Sequence, residues 1–205
     1  MELQFYGANC VRITTKKAAI VIDDIEGNVT KAGDIALFTG EHNAPKAEAK
    51  IVIDQPGEYE VSDASVQGIA ARAHMDEDKN GHTATIFKVI AEDIRVAILG
   101  HIYPELNDEQ MEALGRTDVL IVPVGGSGYT LDGIGALKLI KKIEPKIIIP
   151  THYADKAVKY EVPQAGLADV LKDISMEPKE TVPKLKLKAT ELLGENSQLI
   201  VLERQ

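Results

Sequence analysis

The sequence predicts an α/β protein in which β-sheets carry helices packed on their outer faces. The first half of the chain consists of short, β-branched apolar runs, and the second half alternates strands with amphipathic helices. Of the 205 residues, 44% are hydrophobic and 27% are charged, as in ordinary globular proteins. No shift in composition marks a linker, so we expect one domain over residues 1–205.

The predicted strands of the first half are short and end in polar or glycine-containing loops. Asp23 and Asp24 follow the third apolar run, where we expect a turn. No helix of convincing length is expected before residue 107. The apolar runs lie at residues 3–5, 11–13, 18–22, 35–38, 51–53, 61–73 and 83–99, the last as two strands.

The second half contains a predicted strand–helix–strand unit. Asn107 and Gln110 have the spacing of a capping box, which indicates a short helix ended by Gly115. A fully apolar strand at 118–124 precedes a helix that Thr130 is expected to cap, and a strand at 146–150 follows. A further helix is expected to open at Val162 and Pro163, with closing strands at 185–189 and 198–202.

Charge and composition argue against several classes of partner. The net charge of -9 repels a phosphate backbone, so we expect no nucleic acid partner. No apolar run approaches the ~20 residues that span a bilayer, and the start of the chain does not resemble a signal peptide, so we expect a cytoplasmic protein without a membrane partner. The acidic surface and the edge strands are compatible with a homo-oligomer.

Cysteine usage restricts how a metal could be held. Cys10 is the single cysteine, so one chain can form neither an internal disulfide nor a thiolate zinc site. Any metal must therefore be held by histidine and carboxylate side chains.

Four of the five histidines lie one to four residues beyond a predicted strand: His42, His74, His101 and His152. Strand ends on one side of a sheet converge in space, so these imidazoles are candidate ligands for one divalent metal ion. Three such ligands leave a position where bound water is acidified, which is the chemistry of a hydrolase. The alternative is that each histidine only hydrogen-bonds a nearby carbonyl.

Two further features have a functional and a structural interpretation. Glu41, next to His42, is a candidate metal ligand or catalytic base, or else an exposed loop carboxylate. The glycine-rich loop at 125–128 could bind an anion through backbone N–H groups, or could only connect a strand to a helix.

Five segments follow one another along the chain: DIALFT at 34–39, TIF at 85–87, ILG at 98–100, DVLIVPVGG at 118–126 and PKIIIPTHY at 145–153. Together they resemble the metallo-β-lactamase-fold hydrolases, and in particular the branch that includes ascorbate-phosphate lactonase-like proteins. The resemblance extends from Leu3 to Tyr153 and more loosely to Leu202. It implies a four-layer αββα sandwich with a metal site at one edge of the two sheets.

The metal-binding motif departs from that of the family. Such enzymes follow a strand and a threonine with His-x-His-x-Asp-His, whereas here Thr39 is followed by Gly-Glu-His-Asn-Ala-Pro, which keeps only His42. Ala44 and Pro45 stand where the family has ligands, and His101 replaces the aspartate that bridges two metals. His74 and His152 correspond to the isolated and final histidines.

This pattern predicts at most one metal ion, because two divalent ions need a bridging anion and a neutral imidazole offers one lone pair to one metal. Zinc is the expected ion, manganese and iron are alternatives, and a site without metal is the remaining alternative.

Three functional hypotheses follow. The first is a hydrolase of a small anionic ester, lactone or phosphoester. The second is a catalytically silent scaffold of the same fold, used for binding or assembly. The third is a redox protein, since an all-histidine site could hold iron or copper.

Overall fold

A computed structural model describes residues 1–29, 33–42, 48–78, 80–192, 194 and 196–205. Two β-sheets face each other across a shared core. The smaller sheet has six strands in the order β13-β1-β2-β3-β4-β5. Its strands are β1 (Glu2–Phe5), β2 (Val11–Thr14), β3 (Ala19–Ile22), β4 (Ile35–Leu37), β5 (Ile51–Ile53) and β13 (Leu185–Lys186).

The larger sheet has eight strands in the order β12-β14-β11-β10-β9-β8-β7-β6. These strands are β6 (Gly57–Val61), β7 (Ala64–Ala71), β8 (Ala84–Ala91), β9 (Ile94–Ile98), β10 (Val119–Pro123), β11 (Ile147–Thr151), β12 (Pro178–Val182) and β14 (Gln198–Leu202).

The core between the sheets follows from the two-residue period of the strands. Leu3 and Phe5 of β1 point inward, while the intervening residues are partly exposed. Phe87 and Val89 of β8 belong to the same cluster from the opposite sheet. In contrast, β10 and β11 are buried at every position, because helices cover their other face.

Three helices pack on the outer face of the eight-stranded sheet: α1 (Asp108–Leu114), α2 (Gly133–Ile143) and α3 (Leu167–Ile174). The predicted capping box of α1 is present between Asn107 and Gln110. These layers confirm the predicted α/β sandwich, in which the described α-helices cover the eight-stranded sheet. None of the helices in the described part of the chain is long and apolar enough to cross a lipid bilayer.

Two predicted helix starts were wrong, and one strand was missed. The N-cap of α2 is Asp132, whose carboxylate accepts a hydrogen bond from the Gly135 N–H at 2.7 Å, while Thr130 is fully buried. Helix α3 begins at Leu167 instead of Val162. Strand β12 was not predicted, because its sequence PKETV lies at an edge of the sheet and has no alternating apolar face.

The strand directions bring three loops to one edge of the larger sheet. Strands β7 and β9 are both antiparallel to β8, and β9, β10 and β11 run parallel. Consequently β7, β9 and β11 all end at the same edge, and His74, His101 and His152 follow these three strands. His42 follows β4 in the other sheet.

Candidate functional site

A buried hydrogen-bond network joins the two sheets beside the predicted site. The Asp23 carboxylate accepts from the Thr39 N–H at 2.7 Å, from the Thr39 hydroxyl at 2.7 Å and from the Asn9 amide at 2.6 Å. The Asn9 carbonyl oxygen then accepts from the Thr151 hydroxyl at 2.6 Å. The network therefore fixes the starts of the loops that carry His42 and His152.

Opposing effects act on the charge of Asp23. Burial has the largest effect and raises the pKa of Asp23 above its ordinary value, although the bonds from Thr39 and Asn9 and the nearby His152 oppose this shift. The geometry favours the carboxylate form, because all three neighbouring groups donate and a protonated oxygen would face a donor. Asp23 is thus a buried acceptor that orders the loops around it.

Three of the four predicted histidines lie together, and we call His74, His101 and His152 the histidine cluster. The rings of His101 and His152 are edge to face, with centroids 4.7 Å apart. The backbone N–H of His74 donates to the backbone carbonyl of His101 at 2.7 Å. Tyr129 lies 5.1 Å from His101, and Tyr160 lies 5.2 Å from His152, between ring centroids. The two tyrosines thus pack against the rings of His101 and His152.

Two imidazole nitrogens of the cluster are buried without a hydrogen-bond partner: Nδ1 of His74 and Nε2 of His101. Such orphan atoms are uncommon in native proteins and indicate an unfilled bonding function. Burial and the charge of His74 lower the pKa of His101 to about 4. Burial and His101 lower the pKa of His152 to about 4. Both rings are therefore neutral near pH 7, which is the form that binds metals.

His152 is held from its backbone and from its ring. Its φ of 54° is left-handed, and its N–H donates to the Ala8 carbonyl at 2.7 Å. Its Nδ1 lies 3.2 Å from Oε1 of Gln164. A loop that follows β11 thus reaches back onto the ring.

The loop after β4 carries the other two candidate site residues, Glu41 and His42. The His42 ring stacks on Phe38 with a centroid distance of 3.7 Å, and its Nε2 lies 3.1 Å from Asp54. Glu41 is exposed. Positions 43–47, including Ala44 and Pro45, lie outside the described residues. The roles of His42 and Glu41 remain predictions.

A permanent cation borders the histidine cluster. The Arg72 guanidinium lies 4.0 Å above the Tyr103 ring, and Tyr103 lies 5.9 Å from His74 between ring centroids. One guanidinium nitrogen donates to the backbone carbonyl of Asp76 at 2.8 Å, while the buried Nε has no hydrogen-bond partner. The Asp76 carboxylate interacts electrostatically with this guanidinium, so the positive charge on this side of the cluster is partly compensated.

The residues of the cluster fit one divalent ion in the kind of donor they offer. Neutral imidazoles with orphan nitrogens are suitable ligands for zinc, manganese or iron. The number of ligands fits less well. Among the described residues, no three His, Cys, Asp or Glu side chains are arranged to hold a metal. The donor chemistry gives no support for a second ion, since His101 has no charge with which to bridge two cations.

Sequence reasoning missed several residues of this site. Asp23 was expected only to close a turn, and Asn9, Thr39 and Thr151 were not considered for their side chains. One usable signal was present: Asp23 directly follows the buried strand β3. Its three donors come from distant segments, and a single sequence does not show that they meet.

The glycine-rich loop has a structural role at its first residue. An ideal Cβ at Gly125 would lie 2.0 Å from Oε1 of Gln164 and 2.1 Å from the His152 carbonyl oxygen. Glycine is therefore required for the loop after β10 to pass beside His152. Anion binding by residues 125–128 remains a prediction.

Comparisons with known proteins agree with the observed fold. A structure from Thermotoga maritima, described as a candidate Zn-dependent hydrolase of the metallo-β-lactamase superfamily, is similar over 99% of both chains with a TM-score of 0.78 and 25% identity. A candidate metal-dependent hydrolase from Parabacteroides distasonis shares the fold at 17% identity and a TM-score of 0.67, over 99% of this chain and 93% of that chain.

A curated relative matches a short segment. The UPF0173 metal-dependent hydrolase of Thermoplasma acidophilum is 46% identical over 48 residues, which is 22% of this chain and 21% of that protein. The chain thus aligns with about a fifth of that relative's length.

The family match is broader, because residues 2–152 match the beta-lactamase superfamily domain. That range contains every residue of the buried network and of the histidine cluster. By this match and by its fold, the chain belongs to the β-lactamase superfamily and has the metallo-β-lactamase fold.

Proposed function

We propose that the protein is a hydrolase with a reduced metal site that holds one divalent ion, with zinc as the expected ion. His74, His101 and His152 would hold it, and His42 would complete the ligand set. The observation that carries this proposal is the pair of orphan nitrogens on His74 and His101, buried beside His152. When bound, the ion would supply a Lewis acid and an acidified water.

The chain's own residues would prepare the site for this chemistry. The carboxylate of Asp23 holds the loops that begin at Thr39 and Thr151. Tyr129 and Tyr160 pack against His101 and His152 and would lower the local dielectric constant there, which strengthens electrostatic interactions. Glu41 is the candidate base from the β4 loop.

The proposed substrate is a small anionic ester, lactone or phosphoester. Arg72 supports an anionic substrate, because its guanidinium is stacked on Tyr103 near His74 and Nε has no acceptor. A guanidinium held by an aromatic ring is well suited to bind a carboxylate or phosphate oxygen.

Replacing Arg72 by glutamine is expected to weaken the binding of inorganic phosphate or acetate roughly tenfold or more, because a hydrogen bond to a charged group is lost. Calorimetric titration of each anion into the native and variant proteins measures the effect. Arg116→Gln is the matched control, since Arg116 lies at the opposite end of β10 and pairs with Asp118. Equal losses in both variants would contradict a specific role for Arg72.

The metal content of the purified protein tests the proposal. We expect one equivalent of zinc per chain after zinc loading and dialysis, measured by elemental analysis. His101→Ala and His152→Ala are each expected to abolish this uptake and any turnover, because each removes one of the few donors. His82→Ala is the matched control, since His82 is exposed on the loop before β8.

Retention of the zinc by either cluster variant would contradict the assignment of that ligand. An optical band of bound iron or copper would favour the redox hypothesis.

A silent scaffold is the second candidate. The observation that favours it is the contact of His42 with Asp54 and Phe38, together with the lack of a three-ligand group among the described residues. This candidate predicts no stoichiometric metal and a melting temperature that a chelator leaves unchanged.

A further inference from the structure

The amide of Gln164 is held in one orientation beside His152. Its Nε2 donates to the Val162 carbonyl at 2.9 Å, and its Oε1 lies 3.2 Å from Nδ1 of His152. The reversed orientation would place the amide oxygen against the Val162 carbonyl oxygen, and two acceptors repel each other. The Val162 carbonyl therefore directs the amide oxygen toward the ring.

An amide oxygen can only accept a hydrogen bond, so Nδ1 of His152 must donate. A neutral imidazole has one N–H, and the lone pair then lies on Nε2. We infer that Gln164 is a positioning residue that fixes His152 in the Nδ1–H form and leaves Nε2 as the donor nitrogen of the site.

The backbone around Gln164 is built to keep it in place. The Ala165 N–H donates to the Gly125 carbonyl at 2.9 Å, and the Ala154 N–H donates to the Ala165 carbonyl at 2.9 Å. The missing side chain of Gly125 leaves the space that Oε1 of Gln164 occupies. Two segments that follow neighbouring strands thus fix the amide against the ring.

The consequence for metal binding rests on the proposed function, whereas the tautomer of His152 does not. Groups that orient a ligand histidine in this way commonly change metal affinity by roughly 10- to 100-fold when they are removed. Gln164 would therefore act on zinc only through His152.

Nitrogen-15 NMR of the histidine side chains tests the inference in chelator-treated protein above pH 7. In the native protein, the proton of His152 is expected on Nδ1. Gln164→Leu is expected to give a mixed population that includes the Nε2–H form. Gln164→Glu is expected to restore the Nδ1–H form in part, because its carboxylate still accepts from the ring but places a second oxygen against the Val162 carbonyl oxygen. Gln4→Leu is the matched control, since Gln4 is hydrogen-bonded to Gln205 away from the site.

An Nε2–H form in the native protein, or an unchanged tautomer in Gln164→Leu, would overturn the inference. Zinc titration adds a second measurement, in which the leucine variant is expected to lose roughly 10- to 100-fold in affinity and the glutamate variant to recover part of this loss. Native protein that shows the Nδ1–H form but binds no zinc would support the inference and contradict the proposed function. The backbone spectra show whether each variant is folded.

Discussion

Replacing Gly100 by alanine is expected to lower the free energy of unfolding by about 3 kcal/mol, as the sum of a left-handed backbone penalty and overpacking. Gly100 has a φ of +61°, and an ideal Cβ there would lie 2.3 Å from both Cβ and Oγ1 of Thr39. Thr39 cannot move away easily, because it donates two hydrogen bonds to Asp23. Urea unfolding measures the loss.

Gly128→Ala is the matched control for this substitution. Gly128 has a φ of +71°, but an added Cβ would meet nothing within 4 Å. Its expected cost is therefore only the backbone penalty of about 1 kcal/mol. Equal losses in the two variants would show that the close approach of Thr39 to Gly100 does not contribute to the cost.

Acid is expected to destabilise the chelator-treated protein progressively as the pH falls from about 6.5 to about 4. The folded-state pKa values of His101 and His152 are lowered from 6.5 to about 4, chiefly by burial. In this interval the unfolded chain binds more protons than the folded chain. The stabilisation is therefore complete above pH 6.5 and is lost as the pH approaches 4.

The expected loss is about 3 kcal/mol for one histidine with a shift of this size. Urea unfolding at a series of pH values measures it as a slope. His101→Phe removes one of the two groups, so its slope is expected to be about half that of the native protein. His82→Gln should leave the slope unchanged, because His82 is exposed. If the free energy of unfolding of His101→Phe changed with pH as steeply as that of the native protein, the assignment of the buried groups would be contradicted.

Much of the fold could be predicted from the sequence because hydrophobic periodicity reports burial. The strands β10 and β11 are continuous apolar runs, and the unit that they form with α2 was predicted correctly. The edge strand β12 could not be predicted in this way, since only its end residues are partly buried. Backbone hydrogen bonds to β14 hold this strand in the sheet, because its side chains bury little apolar surface.

The histidine cluster could be predicted in part because strand direction determines where strand ends lie. His74, His101 and His152 follow strands that end at one edge of a single sheet. The role of Asp23 could not be predicted, because it depends on donors from Asn9 and Thr39, which only the folded chain brings together.

The bond between Asn9 and Thr151 joins residues that are 142 positions apart. At translation rates of 5–20 residues per second, the ribosome takes roughly 7 to 30 seconds to add the intervening chain. During that interval the hairpin of β1 and β2 lacks its partner from β11, and the opposing sheet lacks the strands β11, β12 and β14. A newly made chain is therefore exposed to aggregation and to chaperone capture until its last third has emerged.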